Sequence, residues 1–193
     1  MLSSIEETRA AVLARMVSKA PEKKLGRTQV MKLFYFLQEL KGVSLGYDFR
    51  LFTYGPFDSE VLSDLATACN LDTVVEKTVI YPRGYGYEIT PGPNANLLFH
   101  DLEHSDSGLA SQVDEVVLEF GSLGAAELEL RSTILFVDRE FASVGQNTSV
   151  EAIVERVRQI KPHFDNLTIR IRVMEIAEKG YLQSLSTCPS KAL

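Results

Sequence analysis

Five consecutive residues match the pattern of a zinc site found in some metallohydrolases. His100 and His104 stand at the two ends of an H-x-x-E-H sequence that includes Glu103. On a helix, two histidines four residues apart share one face, as zinc ligation requires. The sequence offers no third ligand, and short motifs of this kind often arise by chance. We therefore predict a surface pair of histidines and no bound metal.

Other patterns that carry catalysis are missing from the sequence. It contains no G-x-S-x-G, no Walker sequence and no Cys–His pair of recognisable spacing. The two cysteines, Cys69 and Cys188, lie far apart and lack partners at metal-ligand spacing. The first residues also lack the apolar run of a signal peptide. We predict a cytoplasmic protein that is not an enzyme and has no cofactor.

The charge of the chain is unevenly distributed. The formal net charge is −6 over 193 residues, and residues 101–147 contain ten acidic and only two basic side chains. A basic footprint for nucleic acid is therefore missing from the protein as a whole. The acidic stretch is typical of a solvated face, and a surface for a basic partner is the open alternative.

The most apolar segment, residues 29–40, predicts a central helix. Its apolar side chains cover most of the helix circumference, so other elements must surround it. Only Lys32 and Glu39 form a narrow charged stripe. Thr28 is the predicted N-cap, and Gly42 is expected to end the helix in a left-handed conformation. Asp58 is the predicted N-cap of the later helix at 59–70.

The remaining pattern predicts a mainly α protein with a small β-hairpin wing, in the α+β class. A first helix, the central helix, a short strand at 49–54, a helix at 59–70 and a hairpin at 73–90 have the order of a winged helix-turn-helix. We expect this half to span residues 1–107. Residues 108–184 are predicted to form a helical half that ends in a three-helix unit resembling a second helix-turn-helix, and residues 185–193 a disordered tail.

Several of these segments resemble a known family. Residues 25–38, followed by Tyr54-Gly55-Pro56-Phe57 (the YGP element), are similar to SocA-like, or Panacea, antitoxin domains, and closer to the related YwgA-like bacterial proteins. The similarity continues to about Leu182. It implies a winged-helix fold and a non-enzymatic regulatory protein that binds another protein, often a toxin encoded next door.

The helix at residues 59–70 would be the DNA-reading helix of a winged helix-turn-helix. A reading helix normally offers Arg, Lys, Asn or Gln to base edges. This one has no lysine or arginine, and its predicted outward side chains are Ser59, Glu60, Ser63, Asp64 and Thr67. Two carboxylates there would repel the phosphates that line the groove. The first half is therefore predicted to be a poor DNA reader.

These observations predict a partner-binding protein, with two sets of candidate contact residues. The candidates for contact with another protein are Tyr54, Gly55, Pro56, Phe57, Tyr81, Arg83, Tyr85 and Tyr87. The alternative is a DNA-binding transcriptional regulator that uses the wing and an exposed basic face of the C-terminal helices. The candidates for that role are Lys77, Arg83, Arg156, Arg158, Arg172 and Lys179. A second copy of the chain stays open as a partner, and no membrane contact is expected.

Overall fold

The computed structural model describes residues 4–82, 84–145 and 147–185. These residues form eight α-helices: α1 Ser4–Lys19, α2 Arg27–Lys41, α3 Ser59–Asn70, α4 Ala95–Ser105, α5 Ser107–Phe120, α6 Ala125–Ser143, α7 Val150–Ile160 and α8 Asn166–Glu178. Four strands are present in the same residues: β1 Arg50–Phe52, β2 Gly55–Phe57, β3 Val74–Tyr81 and β4 Gly84–Pro91. The predicted mainly α architecture of the α+β class is confirmed.

The strands form two small two-stranded sheets. β1 pairs with β2, and β3 pairs with β4. The β3–β4 hairpin is antiparallel, with Val74 opposite Pro91 at its base and Tyr81 opposite Gly84 at its tip. The predicted hairpin is therefore confirmed. At residues 53–56 the sequence predicted a strand that stops at Gly55, but Gly55–Phe57 is itself a strand, because the chain turns back there and pairs with β1.

The contacts divide the chain into two compact units. The first consists of Met1–Arg50 and Phe57–Leu128, and the second of Leu51–Pro56 and Glu129–Leu193. The predicted domain bounds, 1–107 and 108–184, stay a prediction. Of the predicted disordered tail, 185–193, only Leu185 lies within the described residues, where it pairs with Thr148.

Helix α2 is the buried centre of the first unit. Every side chain from Val30 to Leu37 is buried, and the Phe36 ring stacks on that of Phe120 at 4.2 Å between centroids. The predicted central helix is confirmed. Lys32, on the narrow charged stripe, is buried with the rest of this run and is only 2% exposed.

A few polar residues and glycines determine where the helices begin and end. Gly42 ends α2 in the left-handed conformation with φ +67°, as predicted. The predicted cap Thr28 is wrong, because Gly26 is the N-cap and its N–H donates to Gln29 Oε1 at 2.7 Å. Asp58 caps α3 as predicted, accepting a hydrogen bond from the Glu60 N–H at 2.8 Å.

Two helix boundaries in the second half of the chain differ from what the sequence predicts, which is an N-cap at Thr148 for α7 and a break at Gly108 before α5. Helix α7 is capped by Ser149 and not by Thr148, which is buried and bonded to the backbone of Ser184. The break before α5 falls at Asp106, whose carboxylate accepts from the Leu109 N–H, and not at the predicted Gly108. In both cases a neighbouring polar residue supplies the cap, so the boundary shifts by one or two positions.

Candidate functional site

The β3–β4 hairpin presents aromatic side chains to solvent near its tip. Tyr81 is 52% exposed, Tyr85 70% and Ile80 86%. The rings of Tyr85 and Tyr87 meet edge to face, with centroids 6.0 Å apart. Three of the predicted partner-contact residues, Tyr81, Tyr85 and Tyr87, are therefore brought together by this hairpin. Arg83, predicted for both roles, lies outside the described residues.

These tyrosines line one side of a groove of about 450 Å³, which we call the hairpin groove. Its opposite side is formed by the first turn of α2 and by the start of α6. The lining residues are Gly26, Arg27, Thr28, Gln29, Tyr81, Tyr85, Gly86, Tyr87, Gly124 and Ala125. The groove is rich in aromatic rings, which accept apolar groups, and in glycines, which allow the backbone of a bound polypeptide to approach closely.

Among the described residues that line the hairpin groove, Arg27 is the one cation, and its charge is matched within the protein. Arg27 donates to both carboxylate oxygens of Glu76, at 2.7 and 2.6 Å. Its guanidinium carbon lies 3.5 Å from the centre of the Tyr87 ring. The hydrogen bond to Glu76 raises the pKa of Arg27 despite partial burial. Arg27 is thus held in place against Tyr87, and its guanidinium is already committed to a carboxylate.

The position of the Tyr81 ring explains why residue 86 in the groove is a glycine. A Cβ added to Gly86 would lie 3.0 Å from Cε2 of Tyr81, so the ring of Tyr81 rests directly on the backbone there. The sequence pointed to the tyrosines as aromatic residues of the predicted wing, but it gave no signal for Gly26, Arg27, Gln29 and Gly124.

Asp64 corrects the prediction that α3 has an acidic outward face. Asp64 is only 6% exposed, whereas Glu60 keeps 55% of its side chain exposed. Tyr47 donates its hydroxyl to Asp64 Oδ2 at 2.7 Å, and Arg9 Nη1 lies 3.0 Å from Glu60 and 3.5 Å from Asp64. The acidic residues of α3 therefore face a buried arginine in the first unit, which periodicity could not reveal because the partners are far apart in sequence.

Burial raises the pKa of both acidic groups of this network, the Asp64 carboxyl and the Tyr47 phenol. Desolvation raises the pKa of Asp64 above its ordinary value, although the Tyr47 hydrogen bond and the charge of Arg9 work against that shift. Desolvation and the hydrogen bond to Asp64 raise the pKa of the Tyr47 phenol. The carboxyl group of Asp64 is thus easier to protonate in the folded protein than in the unfolded chain.

We expect the stability contributed by Asp64 to fall as pH rises. Its folded pKa is raised, so the contribution is fully present below the unfolded pKa, near 3.8, and is lost as pH rises through the folded value. The substitution Asp64→Asn removes this titration. Urea unfolding of both proteins from pH 3.5 to 7 should show the cost of Asp64→Asn shrinking with pH, to about 1 kcal/mol or less at neutral pH. A cost that grows with pH would contradict the assignment.

The YGP element begins at Tyr54 in the turn between β1 and β2 and continues along β2, and its first three residues belong to the second unit. Tyr54 is 71% exposed, whereas Gly55 and Pro56 are buried and Phe57 is half-buried. Gly55 has φ +86°, and a Cβ there would lie 3.1 Å from Thr133 Oγ1. A side chain at Gly55 is excluded both by the backbone conformation and by α6, so this glycine holds the loop against the helix.

A buried ion pair lies beneath this loop. Lys161 is 1% exposed, and its Nζ lies 2.8 Å from Glu129 Oε1 and donates to the backbone carbonyl of Thr53. His163 Nε2 approaches the same Glu129 oxygen at 3.5 Å. Lys161 therefore adds no exposed charge to the basic residues of the C-terminal helices, because its ammonium group binds Glu129 and the backbone beside Tyr54.

The other nucleic-acid candidates are spread over three elements. Lys77 on β3 and Arg156 on α7 are exposed. Arg158 pairs with Glu155 at 3.1 Å, and half-buried Arg172 pairs with Glu175 at 2.8 Å. Lys179 follows α8 and is exposed. The predicted clean exposed face of α8 is wrong at Arg172, because this side chain turns toward Glu175 and is only 28% exposed.

The histidine pair on α4 has no arrangement of metal ligands around it. His104 Nδ1 lies 2.7 Å from the backbone carbonyl of His100, and His100 Nδ1 lies 3.8 Å from Glu103. Among the described residues, no three His, Cys, Asp or Glu side chains are grouped closely enough to hold a metal ion.

Comparison of the sequence with models of known protein families gives no match, and comparison with curated proteins gives none either. The resemblance of residues 25–38 and the YGP element to antitoxin domains therefore stays a prediction. Along the described residues, no helix is both long and apolar enough to cross a bilayer.

Proposed function

We propose that this protein is a non-enzymatic regulatory protein that binds another polypeptide, in the manner of the antitoxin-type winged-helix proteins it resembles. The hairpin groove is the observation that carries the proposal. It joins exposed tyrosines, a stacked arginine and glycine-lined backbone in a cavity of about 450 Å³. Tyr and Arg are the side chains that most often dominate protein–protein binding energy.

The winged-helix part of the proposal is supported by the order of elements. Helices α1 and α2, the short β1–β2 turn, α3 and the β3–β4 hairpin follow one another as in a winged helix-turn-helix. In that arrangement the hairpin is the wing. The charges on this hairpin fit a wing that contacts protein through tyrosines better than a wing that contacts DNA through basic residues.

DNA binding has weaker support. Along the described residues, Arg27, Arg158 and Arg172 already have carboxylate partners, at 2.6, 3.1 and 2.8 Å. To bind DNA, each of these arginines would have to exchange its carboxylate partner for a phosphate. This exchange lessens the free energy gained from counterion release. Helix α3 also offers no arginine or lysine.

We expect loss of one groove tyrosine to weaken binding of the native partner. The protein is co-expressed with the products of genes adjacent to its own, the complex is isolated through a tag, and its Kd is measured by titration calorimetry. Tyr85→Ala should raise Kd about 30-fold, since truncation of a central aromatic residue typically costs 2 kcal/mol or more.

Leu118→Ala is the matched control, because Leu118 is 86% exposed on α5 and is also a large apolar side chain outside the groove. Its Kd should stay within about twofold of the original value. Equal effects of the two substitutions, or isolation of no partner with any adjacent product, would count against the proposal.

A further inference from the structure

The outer edge of β3 is the side of this strand that faces away from β4. The direction of its backbone groups follows from the other side of the hairpin, where the N–H and C=O of Ile89 bond to Leu25 and so point away from β3. Glu76 lies opposite Ile89, in a pair without mutual hydrogen bonds. Because the register is unbroken, the backbone groups of Glu76, Thr78 and Ile80 all point away from β4.

Helix α3 covers only the first part of this outer edge. The backbone of Glu76 is hydrogen-bonded to the Cys69 thiol, which belongs to α3. The next outward residues along the strand are Thr78 and Ile80, and both are exposed. Among the described residues, no backbone group from outside the hairpin bonds to Thr78 or Ile80. The edge is therefore open from Thr78 to the hairpin turn.

This open part of the edge lacks the features that prevent strands from pairing with other chains. Exposed edges are commonly protected by charged side chains, by proline or by a covering element. Residues 78–81 include no charged residue and no proline. Ile80 and Tyr85 lie opposite each other on one face of the hairpin and are 86% and 70% exposed. An uncharged edge beside exposed apolar side chains is a template for a further strand.

We infer that an extended segment of the partner polypeptide adds to β3 beside residues 78–80 as an antiparallel third strand of the hairpin sheet. This inference rests on the proposed function and names a contact that the partner makes in addition to the hairpin groove. A segment of about four residues spans the open edge at ~3.3 Å per residue. Main-chain hydrogen bonds then supply affinity, and alternate side chains supply specificity.

A second copy of the chain fits this edge less well than a separate segment does. If two copies paired antiparallel over residues 78–80, the two-fold axis would pass beside Val79. In that register Pro82 of one copy would lie beside Glu76 of the other, where the Cys69 thiol already binds the backbone. A separate segment can leave the edge before it reaches α3.

The side chains along the edge set the chemistry of the added segment. On one face of the sheet it lies beside Thr78 and Ile80, which favour β-branched and aromatic neighbours across the strand. On the other face Lys77 is exposed at the end nearer α3, and a carboxylate beside it forms a favourable cross-strand pair. In antiparallel orientation the residue beside Lys77 is C-terminal to the residue beside Ile80. We therefore expect an apolar, β-branched run followed by Asp or Glu.

Two substitutions at residue 80 distinguish the backbone contact from the side-chain contact. The Ile80 N–H points away from β4, so proline there costs no hydrogen bond within the hairpin. Ile80→Ala removes the apolar side chain and keeps the outward N–H, whereas Ile80→Pro removes both. We expect Ile80→Pro to weaken binding of the segment about tenfold more than Ile80→Ala does. Leu118→Ala, an exposed apolar change on α5, should stay within about twofold.

The probe is a random nine-residue peptide library displayed on phage and selected on the full-length protein. The best sequence is synthesised with a single N-methyl group at each position in turn, and its affinity is measured by fluorescence anisotropy. Since only alternate N–H groups of a strand face its neighbour, N-methylation at every second position should weaken binding about tenfold. N-methylation at the positions between should weaken it much less. Sensitivity without this period of two would contradict strand addition.

Hydrogen exchange on the unsubstituted protein decides the matter even if Ile80→Pro fails to fold. The best peptide should protect the Thr78 and Ile80 amides. A peptide that protects residues 85–87 and not these two amides overturns strand addition at β3 but leaves the proposed function intact. Protection of the two amides that grows with protein concentration alone also overturns it, because a second copy then takes the edge. Failure of every peptide to bind overturns it too, and the proposed function is judged separately by the effect of Tyr85→Ala on the native partner.

Discussion

Replacing Lys161 with alanine is expected to destabilise the protein by about 3–5 kcal/mol. The substitution leaves the Glu129 carboxylate, which is about nine-tenths buried, without its cation, and it removes the donor to the Thr53 carbonyl. A buried charge that loses its partner costs far more than the pair itself contributes. Equilibrium urea unfolding, followed by far-ultraviolet circular dichroism because the chain has no tryptophan, measures the loss.

Two further variants distinguish the loss of the buried ion pair from a general effect of removing a charge. Arg158→Ala removes a cation from the exposed pair with Glu155, and the urea midpoint should stay unchanged. The double substitution Lys161→Met with Glu129→Leu should recover most of the lost stability, since two apolar side chains of similar size need no partner. A single Lys161→Ala variant as stable as Arg158→Ala would refute the buried pair.

Replacing Asp138 with alanine is expected to cost about 3 kcal/mol or more. Asp138 lies on α6 with no exposed surface, and it accepts hydrogen bonds from the backbone N–H groups of Gln183 and Ser184 at 2.8 and 2.9 Å. The Ser184 hydroxyl donates to it at 2.7 Å, and the guanidinium of Arg139 also donates to it. Alanine would leave these donors without an acceptor in a buried place.

Asp138→Ala is expected to loosen one segment of the structure as well as to lower the free energy of unfolding. Hydrogen exchange at residues 181–185 should accelerate in Asp138→Ala, because this carboxylate holds the segment that follows α8. Glu140→Ala, an exposed change on the same helix, should alter neither exchange nor the urea midpoint. Unchanged exchange at residues 181–185 in Asp138→Ala would show that other contacts hold this segment.

Local features of the fold could be predicted from the sequence, because their causes are local. Four such features depend on neighbouring residues: the apolar circumference of α2, the left-handed Gly42, the Asp58 cap and the β-branched run of β3. Such signals act over a few positions, so no knowledge of the tertiary structure is needed to interpret them.

The errors fall on ionisable residues that the fold buries. Periodicity treats a charged residue as exposed, but Lys32, Asp64 and Lys161 are all enclosed. Lys161 bonds to Thr53, 108 residues away, and Asp64 bonds to Tyr47 from a different segment. Pairings over such distances depend on tertiary packing, which sequence spacing does not record.

For the same reason, only one side of the hairpin groove could be predicted from the sequence. The hairpin that carries the tyrosines follows from a run of β-branched residues and a turn signal in the sequence. The opposite wall, with Gly26, Arg27 and Gln29, comes from the first turn of α2, and the start of α6 completes it. No sequence pattern links these segments, so the groove becomes visible only once the chain is folded.

The central claim is that the hairpin groove recognises a polypeptide. Hydrogen exchange with mass-spectrometric detection, on the protein alone and saturated with its co-purified partner, tests it most directly. We expect new protection at residues 26–29, 85–87 and 124–125, which line the groove. Protection confined to residues 150–179, with residues 81–87 exchanging as fast as in the free protein, would contradict it.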